Sequence, residues 1–153
     1  MLTTEVHLYR GVRKEEYPEG AIIDGHAVQG VLYPLFEKKT YLDRKGKQRT
    51  RQRDVRPYAY EGKMVVDPGG GTSLFDKSEA FGTTDWWYFK LPKGTVVPES
   101  LRVRHTGYNS TFNAEHYQVE AASEHMPVDA FKGALDNLAR NAVEKLYRDA
   151  HGK

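Results

Sequence analysis

Apolar residues recur along this chain with two different periods, which divide it into a strand-rich part and a helical part. In the first part, Glu5–Val12 alternates and predicts a strand with Arg10 on the same face as Leu8 and with Tyr9 on the opposite face. Further alternating or aromatic runs, separated by proline and glycine, predict strands at residues 58–66, 85–91, 101–105 and 117–122. The pattern therefore favours a sheet as the main layer of the fold.

The C-terminal part of the chain has helical spacing. From Pro127 onward an apolar residue recurs every three or four positions, at Val128, Phe131, Leu135, Leu138, Ala142 and Leu146. This spacing predicts one long amphipathic helix that packs against the core. Shorter helices are predicted at residues 27–36, where Pro34 interrupts the apolar pattern, and at residues 74–81. Strands and helices together predict an α+β fold in a single domain, residues 1–153.

Residues 70–76 read Gly-Gly-Thr-Ser-Leu-Phe-Asp and carry the clearest chemical signal in the sequence. We interpret them as a glycine-opened turn that presents the hydroxyls of Thr72 and Ser73, followed by apolar residues that enter the core. Each hydroxyl supplies one donor and two acceptor lone pairs at short reach, which suits a polar ligand. The same run is also compatible with an ordinary loop between strands or with a helix cap.

Two other predicted strands carry polar residues that complement these hydroxyls. Arg10 lies near the end of the first strand. Gln118 and Glu120 lie two residues apart on the strand at 117–122, so their side chains share a face, and His116 directly precedes that strand. Arginine, hydroxyls and glutamate in this order resemble the three strands with which enzymes of the ADP-ribosyltransferase fold handle NAD.

Several short sequence motifs occur in the same order as in one known family. They are residues 70–76, Leu91–Pro98, Tyr108-Asn109, His116-Tyr117 and Leu135–Ala142, and residues 8–12 precede them. Together they resemble the small toxins that bacterial type VI secretion systems export and that act in the recipient cytoplasm. The resemblance covers residues 8–12 and 70–145 and leaves residues 13–69 unmatched. It implies an ADP-ribosyltransferase-like mixed β-sandwich core with short flanking helices and the long C-terminal helix.

The resemblance also implies a reaction. NAD is the expected substrate, and ADP-ribose is transferred to an acceptor that the sequence does not identify, or NAD is cleaved. Positive charge develops on the nicotinamide ribose as its bond to nicotinamide breaks, as in glycoside hydrolysis. A carboxylate at Glu120 would stabilise that charge, and a cation at Arg10 would hold the anionic pyrophosphate. The family does not reliably carry a glutamate at the position of Glu120, so this assignment depends on the strand order.

The remaining candidates are assigned around that centre. Ser73 and Thr72 would orient the carboxylate and touch the nicotinamide ribose. Gln118 would meet the acceptor or the substrate amide, and His116 would act as a polar or acid–base group. Tyr9 is a candidate for stacking on a ring of NAD, together with three further aromatic residues, Trp86, Trp87 and Tyr117.

Composition excludes some kinds of site. Cysteine is absent and the six histidines show no metal-ligand spacing, so no metal site is predicted. The first residues lack the basic and apolar regions of a signal peptide, and no run approaches the ~20 apolar residues of a membrane span. We therefore expect no membrane association. With the resemblance, we expect export by a dedicated machine, and the expected partners are a component of that secretion apparatus and a cognate immunity protein.

Positive charge is concentrated in one stretch. The net charge is only +2, yet Lys38–Arg56 holds nine basic residues against Asp43 and Asp54. With neighbouring tyrosines this stretch could follow a phosphate backbone, so a nucleic-acid-binding or RNA-cleaving toxin is the alternative function. A solvated hairpin or loop without a ligand is the simpler interpretation. A third class, a toxin that acts by protein contact alone, predicts toxicity that survives every change at the candidate residues.

Overall fold

The computed structural model describes residues 1–152, which form short and long strands followed by a single helix. The strands are β1 (Leu8–Arg13), β2 (Ile22–Ile23), β3 (His26–Ala27), β4 (Lys39–Leu42), β5 (Gln48–Arg51), β6 (Tyr58–Tyr60), β7 (Lys63–Val66), β8 (Gly71–Phe75), β9 (Trp86–Leu91), β10 (Leu101–Asn109), β11 (Ala114–Ala121) and β12 (Met126–Pro127). The helix is α1 (Val128–His151). This arrangement confirms the predicted α+β class.

A five-stranded sheet with the order β10-β11-β8-β1-β9 forms the centre of the molecule. Every pairing within it is antiparallel. A second, three-stranded sheet has the order β12-β7-β6, and β2-β3 and β4-β5 form two separate hairpins. The core was expected to be a mixed β-sandwich, and its central sheet is instead purely antiparallel.

Helix α1 covers one face of the central sheet, which we call the core face. Its buried positions are Phe131, Ala134, Leu135, Leu138, Ala139 and Ala142. They share a core with residues that alternate along the strands, including Leu8 on β1, Leu74 on β8 and Val119 on β11. Burying each of these large side chains contributes roughly 1.5–3 kcal/mol. The long amphipathic helix predicted from the apolar spacing is confirmed.

The shorter predicted helices are not found within residues 1–152. Residues 71–75 form strand β8, because Leu74 and Phe75 point to opposite faces of a central strand and both are buried there. In residues 27–36, successive turns replace the helix: Val31 N donates to Val28 O at 3.1 Å and Tyr33 N to Gly30 O at 2.9 Å. The left-handed conformation of Gly30 (φ 85°) prevents a continuous helix there.

The predicted strand at residues 58–66 is divided into β6 and β7 by a tight turn. Glu61 (φ 49°) and Gly62 (φ 80°) both adopt left-handed backbone conformations, as a two-residue hairpin turn requires. The basic stretch Lys38–Arg56 contains the hairpin β4-β5, and a hairpin was one of the two structures expected for it. Within residues 1–152, no helix is long and apolar enough to cross a bilayer.

Candidate functional site

The face of the central sheet opposite α1, which we call the outer face, brings together polar residues from three adjacent strands. In the β11-β8 pairing, Gln118 lies opposite Ser73, and in the β10-β11 pairing it lies opposite Arg104. Directly opposed residues of an antiparallel pair share a face. Arg104, Gln118 and Ser73 therefore form one row across the sheet, and each of them is partly accessible.

A second row lies beside the first and contains Arg102, Glu120 and Gly71. Gly71 is needed for close approach between strands, because a Cβ atom built there would lie 1.9 Å from the carbonyl oxygen of Val119. The glycine predicted to open a turn thus has a different role, since it begins strand β8 and lets β11 pack directly beside it.

Glu120 is completely buried, and its carboxylate is held from several sides. Arg102 Nε donates to Oε1 at 2.5 Å, and Arg102 Nη2 also pairs with Oε1. Arg104 Nη2 lies 3.3 Å from Oε2, and Gln118 Nε2 donates to Oε2 at 2.7 Å. Both oxygens are thus engaged by protein donors. A substrate hydroxyl can reach this carboxylate only if one of these donors leaves.

The electrostatic environment keeps this carboxylate ionised. Burial acts to raise the pKa of Glu120, but the hydrogen bonds from Gln118 and Arg102 and the charges of Arg102 and Arg104 outweigh it and lower the pKa below 4.5. One carboxylate is therefore shared by two guanidinium groups. The three charged residues together keep a net positive charge at neutral pH.

The orientation of Gln118 follows from its partners. Its Nε2 donates to Glu120 and also to the carbonyl oxygen of Gly69 at 3.3 Å. Both partners only accept, so the amide nitrogen must point toward them. Gln118 and Glu120 share a face as predicted, and the Gln118 Oε1 atom is directed away from the carboxylate, where it can accept a further hydrogen bond.

His116 lies on the same face next to an aromatic cluster. Its ring meets Phe75 edge-on with 5.1 Å between the centroids, and Phe75 also packs against Phe81 and Phe112. Thr106 donates to the His116 carbonyl oxygen at 3.0 Å and contacts Nδ1. Burial, with the nearby charge of Arg104, lowers the pKa of His116 below 6.5, so the ring is neutral at pH 7.

Tyr9 also belongs to the outer face, opposite Phe75 on β8 and Lys90 on β9. Trp86 lies on this face too and packs against Phe81 at 4.7 Å between centroids. Trp87 points the other way and donates from Nε1 to Tyr17 O at 2.8 Å.

Arg10 lies on the core face, beside the buried Leu8. Its guanidinium donates to the carbonyl oxygens of Ser73, at 3.2 Å, and Tyr33, at 3.1 Å. Burial, with the charge of Arg51, lowers the pKa of Arg10 to about 10. Arg10 Nε is buried without a hydrogen-bond partner in the part of the chain that the structure describes.

Thr72 lies on the core face as well. It is fully buried and donates to the carbonyl oxygen of Leu32 at 2.5 Å. Thr72 and Arg10 therefore anchor the segment at residues 32–33 to the sheet. The structure brings Ser73, Gln118, Glu120, His116 and Tyr9 to one face and places the side chains of Arg10 and Thr72 on the other.

Arg102 and Arg104 were missed in the sequence, although the signal was present. The run Leu101-Arg-Val-Arg-His alternates, so both arginines share one face of a predicted strand. The same rule placed Gln118 beside Glu120, but the sequence does not show that these two strands pair.

The donor set of the outer face fits an anionic ligand better than a metal ion. Two guanidinium groups with side-chain exposures of 46% and 44% flank the buried carboxylate. Within residues 1–152, no group of three histidine, aspartate or glutamate side chains is arranged to hold a metal. Guanidinium groups match the oxygens of phosphate and pyrophosphate.

Comparison with known proteins identifies the family of this chain. The sequence model of the Tse2 ADP-ribosyltransferase toxin family matches residues 3–146. Toxin Tse2 of Pseudomonas aeruginosa strain PAO1 is 28% identical over 158 aligned residues, which cover 97% of this chain and 95% of that protein. The family match spans all the strands and most of α1. This chain therefore belongs to the Tse2 ADP-ribosyltransferase toxin family.

Proposed function

We propose that this protein is a toxin that uses NAD, transferring ADP-ribose to an acceptor or to water. The observation that carries the proposal is the row of Arg104, Gln118 and Ser73 across three adjacent strands of the outer face. The row offers the hydroxyl of Ser73, the amide oxygen of Gln118 and the cation of Arg104 on neighbouring strands. Membership of an ADP-ribosyltransferase toxin family supports the reaction class.

The chemistry breaks the bond between nicotinamide and C1′ of its ribose. The electron pair of that bond leaves with the nicotinamide nitrogen, and the acceptor donates a pair to C1′ and loses a proton. Positive charge on the ribose is greatest between these events. In this proposal the Ser73 hydroxyl and the Gln118 Oε1 atom bind the ribose and stabilise that charge. Tyr9 stacks on a ring of the substrate.

The contacts of Glu120 support a positioning role within the same proposal. Its oxygens accept from Gln118, Arg102 and Arg104, so it fixes the amide of Gln118 with Oε1 outward. The neutral ring of His116 can accept a proton from the acceptor. Arg10 and Thr72 contribute indirectly in this proposal, by fixing the backbone of β8 and of residues 32–33.

The test replaces Ser73 by alanine and Gln118 by glutamate or alanine, one at a time. Purified protein is incubated with labelled NAD and a cell lysate, and transfer of label and loss of NAD are both measured. Each change should lower the rate by about 10²-fold, because a preorganised group near the developing charge is lost. Ser110→Ala, which removes an exposed hydroxyl in a turn outside the outer face, is the matched control.

Two results would contradict the enzymatic proposal. One is the absence of any NAD consumption by the wild-type protein with every lysate fraction. The other is toxicity that survives changes at Arg10, Thr72, Ser73 and Glu120, which would favour action by protein contact alone. Thermal unfolding of each variant shows whether a lost activity reflects a lost fold.

The biological setting is part of the proposal and is supported by the family match. The toxin is exported by a dedicated machine, acts in the cytoplasm of the recipient cell and is neutralised in its producer by an immunity protein. Expression of the toxin inside a susceptible bacterium should stop growth, and export by the producing strain should depend on its secretion apparatus.

The basic hairpin supports nucleic-acid binding as a second candidate function. Strand β5 is exposed along its whole length, and Lys45 and Lys47 lie in the turn between β4 and β5. Some cations of the hairpin are neutralised, since Arg49 pairs with Asp43 at 3.0 Å and Lys39 with Glu16 at 2.8 Å. A nucleic acid bound there is also compatible with the first proposal, as the acceptor of ADP-ribose.

A further inference from the structure

Arg102 and Arg104 have no counterpart among the residues to which the sequence assigned a role. We propose that these two arginines, held by Glu120, form the site that binds the pyrophosphate of NAD. This inference rests on the proposed use of NAD and replaces Arg10 as the group that holds the phosphates.

Arg10 and the two arginines of β10 differ in their access to a ligand. Two N–H groups of the Arg10 guanidinium donate to the carbonyl oxygens of Ser73 and Tyr33 on the core side of the sheet. A dinucleotide on the outer face has no route to it. The Arg102 and Arg104 side chains are 46% and 44% exposed, so their remaining N–H groups are open to a ligand from solvent.

Glu120 preorganises the Arg102 and Arg104 side chains. Glu120 fixes both guanidinium groups through charge-assisted hydrogen bonds, from Arg102 Nε at 2.5 Å and from Arg104 Nε at 3.3 Å. A carboxylate shared by two arginines leaves one positive charge uncompensated. That surplus charge faces solvent, where an anionic ligand can pair with it. Two fixed guanidinium groups match the paired phosphates of a dinucleotide.

The two arginines lie at a distance from Ser73 that suits a dinucleotide. Arg104 and Ser73 lie in the same row with one strand between them, so their backbones are about 10 Å apart, or two strand spacings. In NAD the pyrophosphate is joined to the nicotinamide ribose through one methylene group. A pyrophosphate at the arginines therefore places that ribose over β11 and β8, where Gln118 and Ser73 lie.

The test uses Arg104→Gln as the main variant. Arg104 makes longer contacts with Glu120 than Arg102 does, so the carboxylate keeps its partners Arg102 and Gln118. The KM for NAD should rise about tenfold while kcat changes little, because the lost contacts lie away from the breaking bond. Arg104→Lys should recover part of the loss. Arg140→Gln, at an exposed position of α1, is the control for general charge effects.

Direct binding separates this site from the rest of NAD recognition. Inorganic pyrophosphate and ADP-ribose should bind the wild-type protein in calorimetry and bind Arg104→Gln about tenfold more weakly. Nicotinamide, which carries no phosphate, should bind both proteins equally. Arg102→Lys provides a second variant that keeps a cation beside Glu120 if Arg104→Gln fails to fold.

These experiments can contradict the pyrophosphate site and the proposed use of NAD separately. If the wild-type protein consumes NAD and the folded variants keep its KM, the pyrophosphate site is wrong and the proposed function stands. If the wild-type protein neither binds nor consumes NAD, while pyrophosphate binding still depends on Arg104, the proposed function fails and an anion site of another substrate remains. Equal pyrophosphate binding by all variants overturns the inference in either case.

Discussion

Single residues decide how the strands of the site fit together, and Gly71 is the clearest case. It is the first residue of β8 and is paired with Glu120 at one end of the β8-β11 contact. A Cβ atom at this position would lie 1.9 Å from the Val119 carbonyl oxygen and 2.9 Å from the carbonyl carbon. These are backbone atoms, so a rotamer change cannot relieve the overlap.

Gly71→Ala should therefore destabilise the protein by about 3 kcal/mol, which corresponds to a melting temperature roughly 6–12 °C lower. Thermal unfolding followed by circular dichroism measures this shift. Gly133→Ala is the matched control, since a Cβ atom there meets nothing within 4 Å and alanine favours a helix. An unchanged melting temperature for Gly71→Ala would show that the two strands are less closely packed than described.

Residue periodicity predicted side-chain direction within each strand but could not relate one strand to another. Arg10 was expected on the face of Leu8, and Gln118 on the face of Glu120, and both expectations agree with the structure. The missing information was the register, which places Gln118 opposite Ser73 rather than Thr72. A shift of one residue would have moved Thr72 to the outer face.

At the scale of elements, the basic hairpin β4-β5 is the part of the chain that most invites a functional test. Its turn is built by Asp43, whose Oδ1 accepts from the backbone N–H groups of Lys45 and Lys47 at 2.9 Å each. The lysine side chains are thus free to change without loss of the turn. Neutral replacements can probe charge while the hairpin persists.

If the hairpin binds nucleic acid, the double variant Lys45→Gln, Lys47→Gln should lower affinity for an oligonucleotide. It should also reduce the slope of log K against log salt by about 2, because two phosphate contacts no longer release counterions. Fluorescence anisotropy at several salt concentrations measures both effects. Lys93→Gln, in an exposed turn elsewhere, should leave the slope unchanged. No binding by the wild-type protein at low salt would remove this function.

Elements with a strong period were predicted well, and elements defined by short-range signals were not. Helix α1 has apolar residues every three or four positions over its length, so its existence was evident. The segment at residues 70–76 has glycines and hydroxyls that are typical of turns, yet pairing with β1 and β11 makes it a central strand. Tertiary pairing outweighed local propensity there.

At the scale of the whole molecule, stability should fall continuously as the solution becomes acidic. Glu120 has a lowered pKa, so its contribution is present above the unfolded value near 4.5 and is lost as pH falls through the folded value. His116 also has a lowered pKa, so below 6.5 the unfolded chain takes up a proton that the folded protein resists. Both effects have the same sign.

Urea unfolding at pH 8, 6 and 4 should therefore give a decreasing free energy of unfolding, with at most about 1.4 kcal/mol per pH unit for each proton involved. Glu120→Gln should be less stable at pH 8 and should lose less on acidification than the wild-type protein. His116→Gln should flatten the curve between pH 8 and 6. Equal slopes for the three proteins would contradict the assigned environments.

The position of β10 at the border of the central sheet has a separate consequence for solubility. This nine-residue strand pairs with β11 on one side only, and its other side is a row of backbone groups that another chain could extend. An irregularity between His105 and Gly107 interrupts the row, and Arg102 and Arg104 place charges beside it. The charges of Arg102 and Arg104, which we propose bind the substrate, thus also disfavour pairing of β10 with a second chain. Replacing both arginines at once should therefore favour aggregation.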